Sequence, residues 1–199
     1  MAPQLYLITP ADADPGSFPA TLMAVLKEAE FAAILVSRGS MDAQSYATLA
    51  AKVVNIGQGA GCAVLVENEV PLVKKLGADG VHVSGGAEEM ADAVQALKPS
   101  MIVGAGNIAS RHDAMTAGEM DVDYVFFGSL GGEADPQAED LAQWWAETFE
   151  VPGVLSLPGA QPGVDARGAE FLALSTSVWS APSPAAMMRN IAARLGEIA

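Results

Sequence analysis

Cysteine is almost missing from this chain, with Cys62 the only one in 199 residues. An internal disulfide is therefore excluded, and a reducing compartment such as the cytosol is the expected location. Cys62 opens an apolar run, Cys62-Ala63-Val64-Leu65-Val66, where a lone thiol acts as a small hydrophobe. Basic residues are scarce as well: 10 Lys and Arg stand against 24 Asp and Glu, for a formal net charge of -14. This balance argues against nucleic acid and anionic membrane surfaces as partners. No apolar run reaches the roughly 20 residues that a bilayer span needs. The N-terminus enters its first apolar run without the basic region and apolar core of a signal peptide. Aromatics make up 6% of a chain that is 51% hydrophobic, so Ala, Val and Leu carry most of the core. That composition favours helices packed on a buried parallel sheet.

What the chain does have is a repeated unit. Asp79-Gly80-Val81-His82-Val83-Ser84 is an acid, a short β-branched run and a small residue. The same shape recurs at Glu30-Phe31-Ala32-Ala33-Ile34-Leu35-Val36-Ser37, at Asp123-Tyr124-Val125-Phe126-Phe127-Gly128 and at Glu170-Phe171-Leu172-Ala173-Leu174-Ser175. The acids lie roughly 45 residues apart, the scale of an internal repeat. Further runs fall between them at Val64, Ile102 and Val154, and Leu5-Tyr6-Leu7-Ile8 stands first, giving eight strands in all. Amphipathic segments alternate with these runs, and Asp42 and either Ser110 or Asn107 are placed to cap two of the helices. A brief helix is expected near Asp165.

Strict alternation implies a parallel sheet. Eight units in 199 residues predict one domain over 1–199, a closed eight-fold β/α (TIM) barrel, with an open doubly wound sheet as the alternative. Acids that open strands lie at the N-terminal end of such a barrel and are structural. Chemistry belongs where the strands end.

The strand ends carry a sparse set of groups. Arg38 is suited to a carboxylate or phosphate, and a solvated surface position accounts for it equally well. Glu67 is a candidate general base or metal ligand, and Asn68 follows it. His82 alternates out of phase with Val81 and Val83, which turns it toward the barrel mouth as a candidate acid or base. Asn107 and Ser129 are ligand-binding candidates at the ends of strands five and six. Gly159, Thr176 and Ser177 follow strands seven and eight, where such barrels hold phosphate on backbone N–H groups without needing Lys. A small phosphorylated ligand is therefore the expected partner. The sequence leaves oligomeric state open, a homo-oligomer included.

Taken together, Leu5-Tyr6-Leu7-Ile8-Thr9-Pro10, Leu76-Gly77-Ala78-Asp79-Gly80-Val81-His82, Asp123-Tyr124-Val125-Phe126-Phe127-Gly128 and Ser177-Val178-Trp179-Ser180-Ala181-Pro182-Ser183-Pro184 resemble the thiamine phosphate synthase family, which includes the thiazole tautomerases. The resemblance covers nearly the whole chain. It implies a β/α barrel of thiamine biosynthesis that joins hydroxymethylpyrimidine pyrophosphate to a thiazole phosphate, with Mg²⁺ and release of pyrophosphate. Matched residue by residue, the family's Gln, Arg and Lys after strand two read Val36, Arg38 and Ser40 here. Its Asn-Asp after strand three, the Asp a metal ligand, reads Glu67-Asn68. Its Ser-Thr-His after strand five reads Gly106-Asn107-Ile108, which removes the His used by the tautomerases. Its Thr and Lys after strand six, which hold pyrophosphate, have no counterpart between Ser129 and Pro136. Its Gly-Gly after strand seven reads Pro158-Gly159, and its Ser after strand eight reads Thr176. The resemblance therefore implies a divergent member with the thiazole-phosphate end kept and the pyrophosphate end stripped. A non-catalytic phosphate-binding or regulatory barrel is the alternative.

Overall fold

The computed structural model describes residues 2–195. Eight parallel strands close in chain order, and the last pairs back onto the first. They are β1 (Gln4–Ile8), β2 (Phe31–Val36), β3 (Ala63–Glu67), β4 (Gly80–Val83), β5 (Ile102–Ala105), β6 (Tyr124–Phe127), β7 (Gly153–Ser156) and β8 (Phe171–Leu174). Outside run α1 (Phe18–Leu26), α2 (Ala43–Gly59), α3 (Val70–Leu76), α4 (Ala87–Leu97), α5 (Arg111–Gly118), α6 (Pro136–Thr148), α7 (Thr176–Trp179) and α8 (Pro184–Arg194). Asp42 caps α2 by accepting from the Gln44 and Ser45 N–H groups. Ser110, rather than Asn107, caps α5.

Three of the four repeated acids explain themselves at the N-terminal end of the barrel. The Asp79 carboxylate accepts from the Val64 N–H at 2.7 Å, Asp123 from Val103 at 2.8 Å and Glu170 from Gly153 at 2.7 Å. Each acid thus satisfies a backbone donor at the start of the strand beside it, a group that burial would otherwise leave unmet.

One expected element is absent. Residues 157–170 form turns, and no helix forms near Asp165. Pro158 and Pro162 remove helical donors, and Gly163, Arg167 and Gly168 take positive φ values of 88°, 54° and 81°. β7 therefore runs to β8 without a helix between them, and α7 follows β8.

Three aromatics, Tyr6, Tyr124 and Phe126, fill the barrel interior, while most of the others pack between the sheet and the helices. Tyr6 meets Tyr124 edge-on at 5.8 Å between ring centroids and Phe126 at 6.1 Å, and Phe126 meets His82 at 4.9 Å. Small residues on β5 make this possible. A Cβ at Gly104 would lie 1.9 Å from the Tyr124 ring, and one at Gly106 would lie 2.4 Å from His82 Nε2. Side chains alternate along a strand, so Gly104 and Gly106 empty two successive inward positions. Gly104→Ala forces an overpacked interior, which typically costs about 1–3 kcal/mol and sometimes more. Denaturant unfolding of that variant should show a lower midpoint at unchanged slope, equivalent to a loss of about 3 kcal/mol in stability.

Candidate functional site

The mouth formed by the strand ends is stitched together on its β1–β2–β3 side. Thr9 Oγ1 accepts from the Ser37 N–H at 3.0 Å. Glu67 Oε2 accepts from the Arg38 N–H at 2.8 Å and from Ser37 Oγ at 3.3 Å. Tyr46 reaches this rim from α2: its hydroxyl donates to Val36 O and accepts from the Glu67 N–H, each at 2.7 Å. Burial pushes the Tyr46 phenol upward, so it remains a neutral strut. The Arg38 guanidinium pairs with Glu69, donates to Met41 O at 3.2 Å and lies 5.7 Å over the Tyr46 ring. Ser40 gives both its N–H and its hydroxyl to Asp12 Oδ1, at 2.7 and 2.9 Å. This rim therefore holds Asp12, Glu67 and Glu69 against one cation that is already paired.

The expected site residues divide between structural and open positions. Arg38 and Glu67 do meet on one rim, but each is held by the loop it stabilises. Asn68, at φ 57°, accepts from the Ser84 N–H at 2.7 Å and so ties the β3 exit to the β4 exit. Asn107 is exposed at φ 56° and lines a cavity of about 410 Å³ with Gly86, Gly106 and His112. Ser129 donates to Glu133 O at 3.2 Å, within a loop that carries acids and no cation. His82 is 1% exposed and lies inside the barrel below the mouth. Its Nδ1 is 2.9 Å from the Tyr124 hydroxyl, which is 2.9 Å from the Tyr6 hydroxyl. Burial holds the imidazole pKa down at about 3, so the ring is neutral.

The β8 side is different in character. A cavity of about 480 Å³ is lined by Thr9, Ser37, Gly131, Gly132, Ser175, Thr176 and Trp179. Trp179 roofs it, with its indole N–H on Ile8 O at 2.6 Å and its edge against Phe18 at 5.1 Å. Thr176 Oγ1 accepts from the Gly132 N–H at 3.0 Å, which joins the β6 and β8 loops. Ser177 donates its N–H to Pro158 O at 2.7 Å. Gly159 lines a separate cavity of about 340 Å³ with Glu139 and Gln161. Among the described residues, the Ser175 and Ser177 hydroxyls are the fully enclosed side-chain polar atoms with no partner. Ser175 was not singled out by the sequence, although its place two residues after Ala173 puts it on the inward face of β8. Asp12, Glu69 and Tyr46 were also missed, since their roles depend on loops far apart in the chain.

Comparison with known proteins agrees with this architecture. Residues 5–159 match the model of the thiamine monophosphate synthase family. A thiamine-phosphate synthase of Erythrobacter litoralis is 34% identical over 197 residues, 92% of each chain. One of Rhodospirillum centenum is 35% identical over 199 residues, 94% of this chain and 95% of that one. A solved thiamine phosphate pyrophosphorylase of Pyrococcus furiosus superposes with a TM-score of 0.80 at 19% identity, covering 98% of this chain and 96% of that one. A 3-hexulose-6-phosphate synthase superposes at 0.70 with 17% identity, over 95% and 98% of the two chains, a likeness of fold. With the barrel closed, the strand-opening acids in place and this span of identity to named synthases, the chain belongs to the thiamine monophosphate synthase family.

Proposed function

We propose that this barrel binds a phosphorylated thiazole, or the thiamine phosphate made from it, at the β8 side of the mouth, and that it has lost the grip on diphosphate needed for synthesis. The observation that carries the reading is Ser175, whose hydroxyl has no protein partner and which lines the 480 Å³ cavity. A buried polar group left unmet costs about 1–3 kcal/mol, and native proteins retain few of them. Rotation of the Ser175 side chain toward the cavity brings its hydroxyl to a phosphate oxygen there, which supplies the missing acceptor. Thr176 and the Gly131-Gly132 loop edge the same cavity, and short loops of this kind hold phosphate through backbone N–H groups.

The opposite rim explains the loss. Bond cleavage to a departing diphosphate needs fixed positive charge where negative charge develops. Arg38 already serves Glu69, Ser40 serves Asp12, and the β6–α6 loop offers Glu133 and Asp135. The donor set does not fit Mg²⁺ either. Glu67 spends Oε2 on two internal donors, and among the described residues no group of three or more His, Cys, Asp or Glu side chains is placed to hold a metal.

Thermal unfolding with added thiazole phosphate, thiamine phosphate or inorganic phosphate tests the binding half. Ligand at about 100 times its Kd should stabilise the fold by roughly 2.7 kcal/mol. Ser175→Ala should weaken that response while leaving the unliganded protein equally stable or slightly more so, since it deletes an unmet hydroxyl. No shift with any of the three compounds at millimolar concentration overturns the reading.

A further inference from the structure

His82, Tyr124 and Tyr6 form a hydrogen-bonded chain across the barrel interior, built from β4, β6 and β1. The chain has two possible directions, and counting protons separates them. In one, His82 Nδ1–H donates to Tyr124, Tyr124 donates to Tyr6, and the Tyr6 proton needs a further acceptor. Tyr6 is 1% exposed, and among the described residues its hydroxyl has no partner besides Tyr124. Tyr6 borders a cavity of about 220 Å³ lined mostly by apolar side chains at the base of the barrel, so that direction leaves its O–H without a protein acceptor, which folded proteins avoid. In the other, Tyr6 donates to Tyr124 and Tyr124 donates to an unprotonated Nδ1. Every proton within the chain is then used, and the imidazole proton sits on Nε2.

Nε2 lies on the side of Gly106, which lines the 410 Å³ cavity. It points at Gly106 on the exit of β5, where a Cβ would come within 2.4 Å. It has no hydrogen-bond partner among the described residues, yet it is not one of the fully enclosed unpartnered atoms. An unmet polar atom on a side chain that is 1% exposed is therefore in touch with open space.

We propose that Tyr6 and Tyr124 are positioning residues that lock His82 as the Nε2–H tautomer, giving the β4–β5 side of the mouth one neutral hydrogen-bond donor. Such a group recognises an acceptor atom, a heteroaromatic ring nitrogen or a carbonyl or phosphoryl oxygen, and does not serve as an acid or base. The nature of the acceptor rests on the phosphorylated-ligand reading above, whereas the tautomer does not. The neutral state is supported by the depressed pKa of the buried ring.

Long-range proton–nitrogen correlation spectra of histidine-labelled protein test this without any ligand. The chain contains two histidines, and His112→Gln on the exposed face of α5 assigns the signals. At pH 7 His82 should carry its proton on Nε2, with Nδ1 showing the shift of an unprotonated, hydrogen-bonded nitrogen. Tyr6→Phe removes a hydroxyl that does not touch His82 but decides the direction of the chain. The Nδ1–H form should then appear beside the Nε2–H form. Tyr124→Phe should show the same loss of bias, which covers the case in which Tyr6→Phe does not fold. A proton on Nδ1 in the unaltered protein overturns the proposal, as does a folded Tyr6→Phe or Tyr124→Phe variant whose His82 signals match the parent. Because no ligand is present, failure here leaves the phosphate titration to stand or fall separately.

Discussion

Given hydroxymethylpyrimidine pyrophosphate, thiazole phosphate and Mg²⁺, the protein is expected to form thiamine phosphate at least ~10⁴-fold more slowly than an ordinary enzyme of about 1–10³ s⁻¹. The size follows from the rim. Removing one donor aimed at developing negative charge typically costs about 10²–10³ in rate. The family resemblance implies a Gln and a Lys where this chain has Val36 and Ser40, and a Thr and a Lys in the loop after β6, where it has neither. Catalytic groups that act as a unit do not add, so two effective losses, rather than four, set the floor. The surrounding charge works in the same direction. Asp12 sits on Ser40 and Glu69 sits on Arg38, so an incoming diphosphate meets carboxylates where it needs cations. A single-turnover assay with enzyme in excess and product detected directly gives the answer. Turnover within tenfold of 1 s⁻¹ removes the binding-protein reading and restores an altered but competent synthase. Ser40→Lys adds one missing charge and frees Asp12. It should raise diphosphate affinity, measured by titration with inorganic pyrophosphate, without creating an active enzyme.

The strands were legible because each is a short apolar run, four of them between an acid and a small residue, and burial on both faces leaves little else for such a run to be. The acids were legible as structural because they open strands, and Asp79, Asp123 and Glu170 do cap neighbouring strands. The helix expected near Asp165 failed because left-handed backbone at Arg167 and Gly168 overrides local propensity. At the site, the residue types that set Val36 and Ser40 apart from the resembled pattern could be read directly. What surrounds them could not, since Arg38–Glu69 and Ser40–Asp12 join residues 31 and 28 apart on separate loops. The His82–Tyr124 contact spans 42 residues and Tyr6–Tyr124 spans 118. A lone His without a visible carboxylate partner therefore read as a weak acid–base candidate, whereas its partners are phenols brought in by barrel closure. One signal was available and unused: Gly104 and Gly106 stand two apart on a strand, which in a barrel marks inward space left for something large.

The buried imidazole also predicts how the fold responds to acid. His82 has an ordinary value of 6.5 and is held at about 3 by burial, so the unfolded chain binds a proton there that the folded chain refuses. The stabilisation is complete above pH 6.5 and is lost as pH falls toward 3. Between those limits stability declines by about 1.4 kcal/mol per pH unit. From pH 7 to pH 4 that amounts to about 3 kcal/mol, a large part of the roughly 5–15 kcal/mol that holds a typical domain together. Carboxylates add their own loss at lower pH. Hydrogen bonds from Ser17 lower Asp14, those from Ser45 lower Asp42, and the Arg189 guanidinium lowers Glu28, so their stabilisation fades only once unfolded carboxylates begin to protonate near pH 4. The window from about pH 6.5 to 4.5 is therefore where His82 should dominate. Denaturant unfolding at half-unit pH steps should show the decline there, with one proton taken up on unfolding. His82→Asn cannot be protonated and leaves Tyr124 without its imidazole, so it should start less stable and then stay flat across the same window. A flat profile in the unaltered protein means that the imidazole takes up its proton in the fold at the same pH as in the unfolded chain. An equal slope in both proteins assigns the titration to another group. Either result removes the neutral, enclosed His82 on which the barrel interior is built.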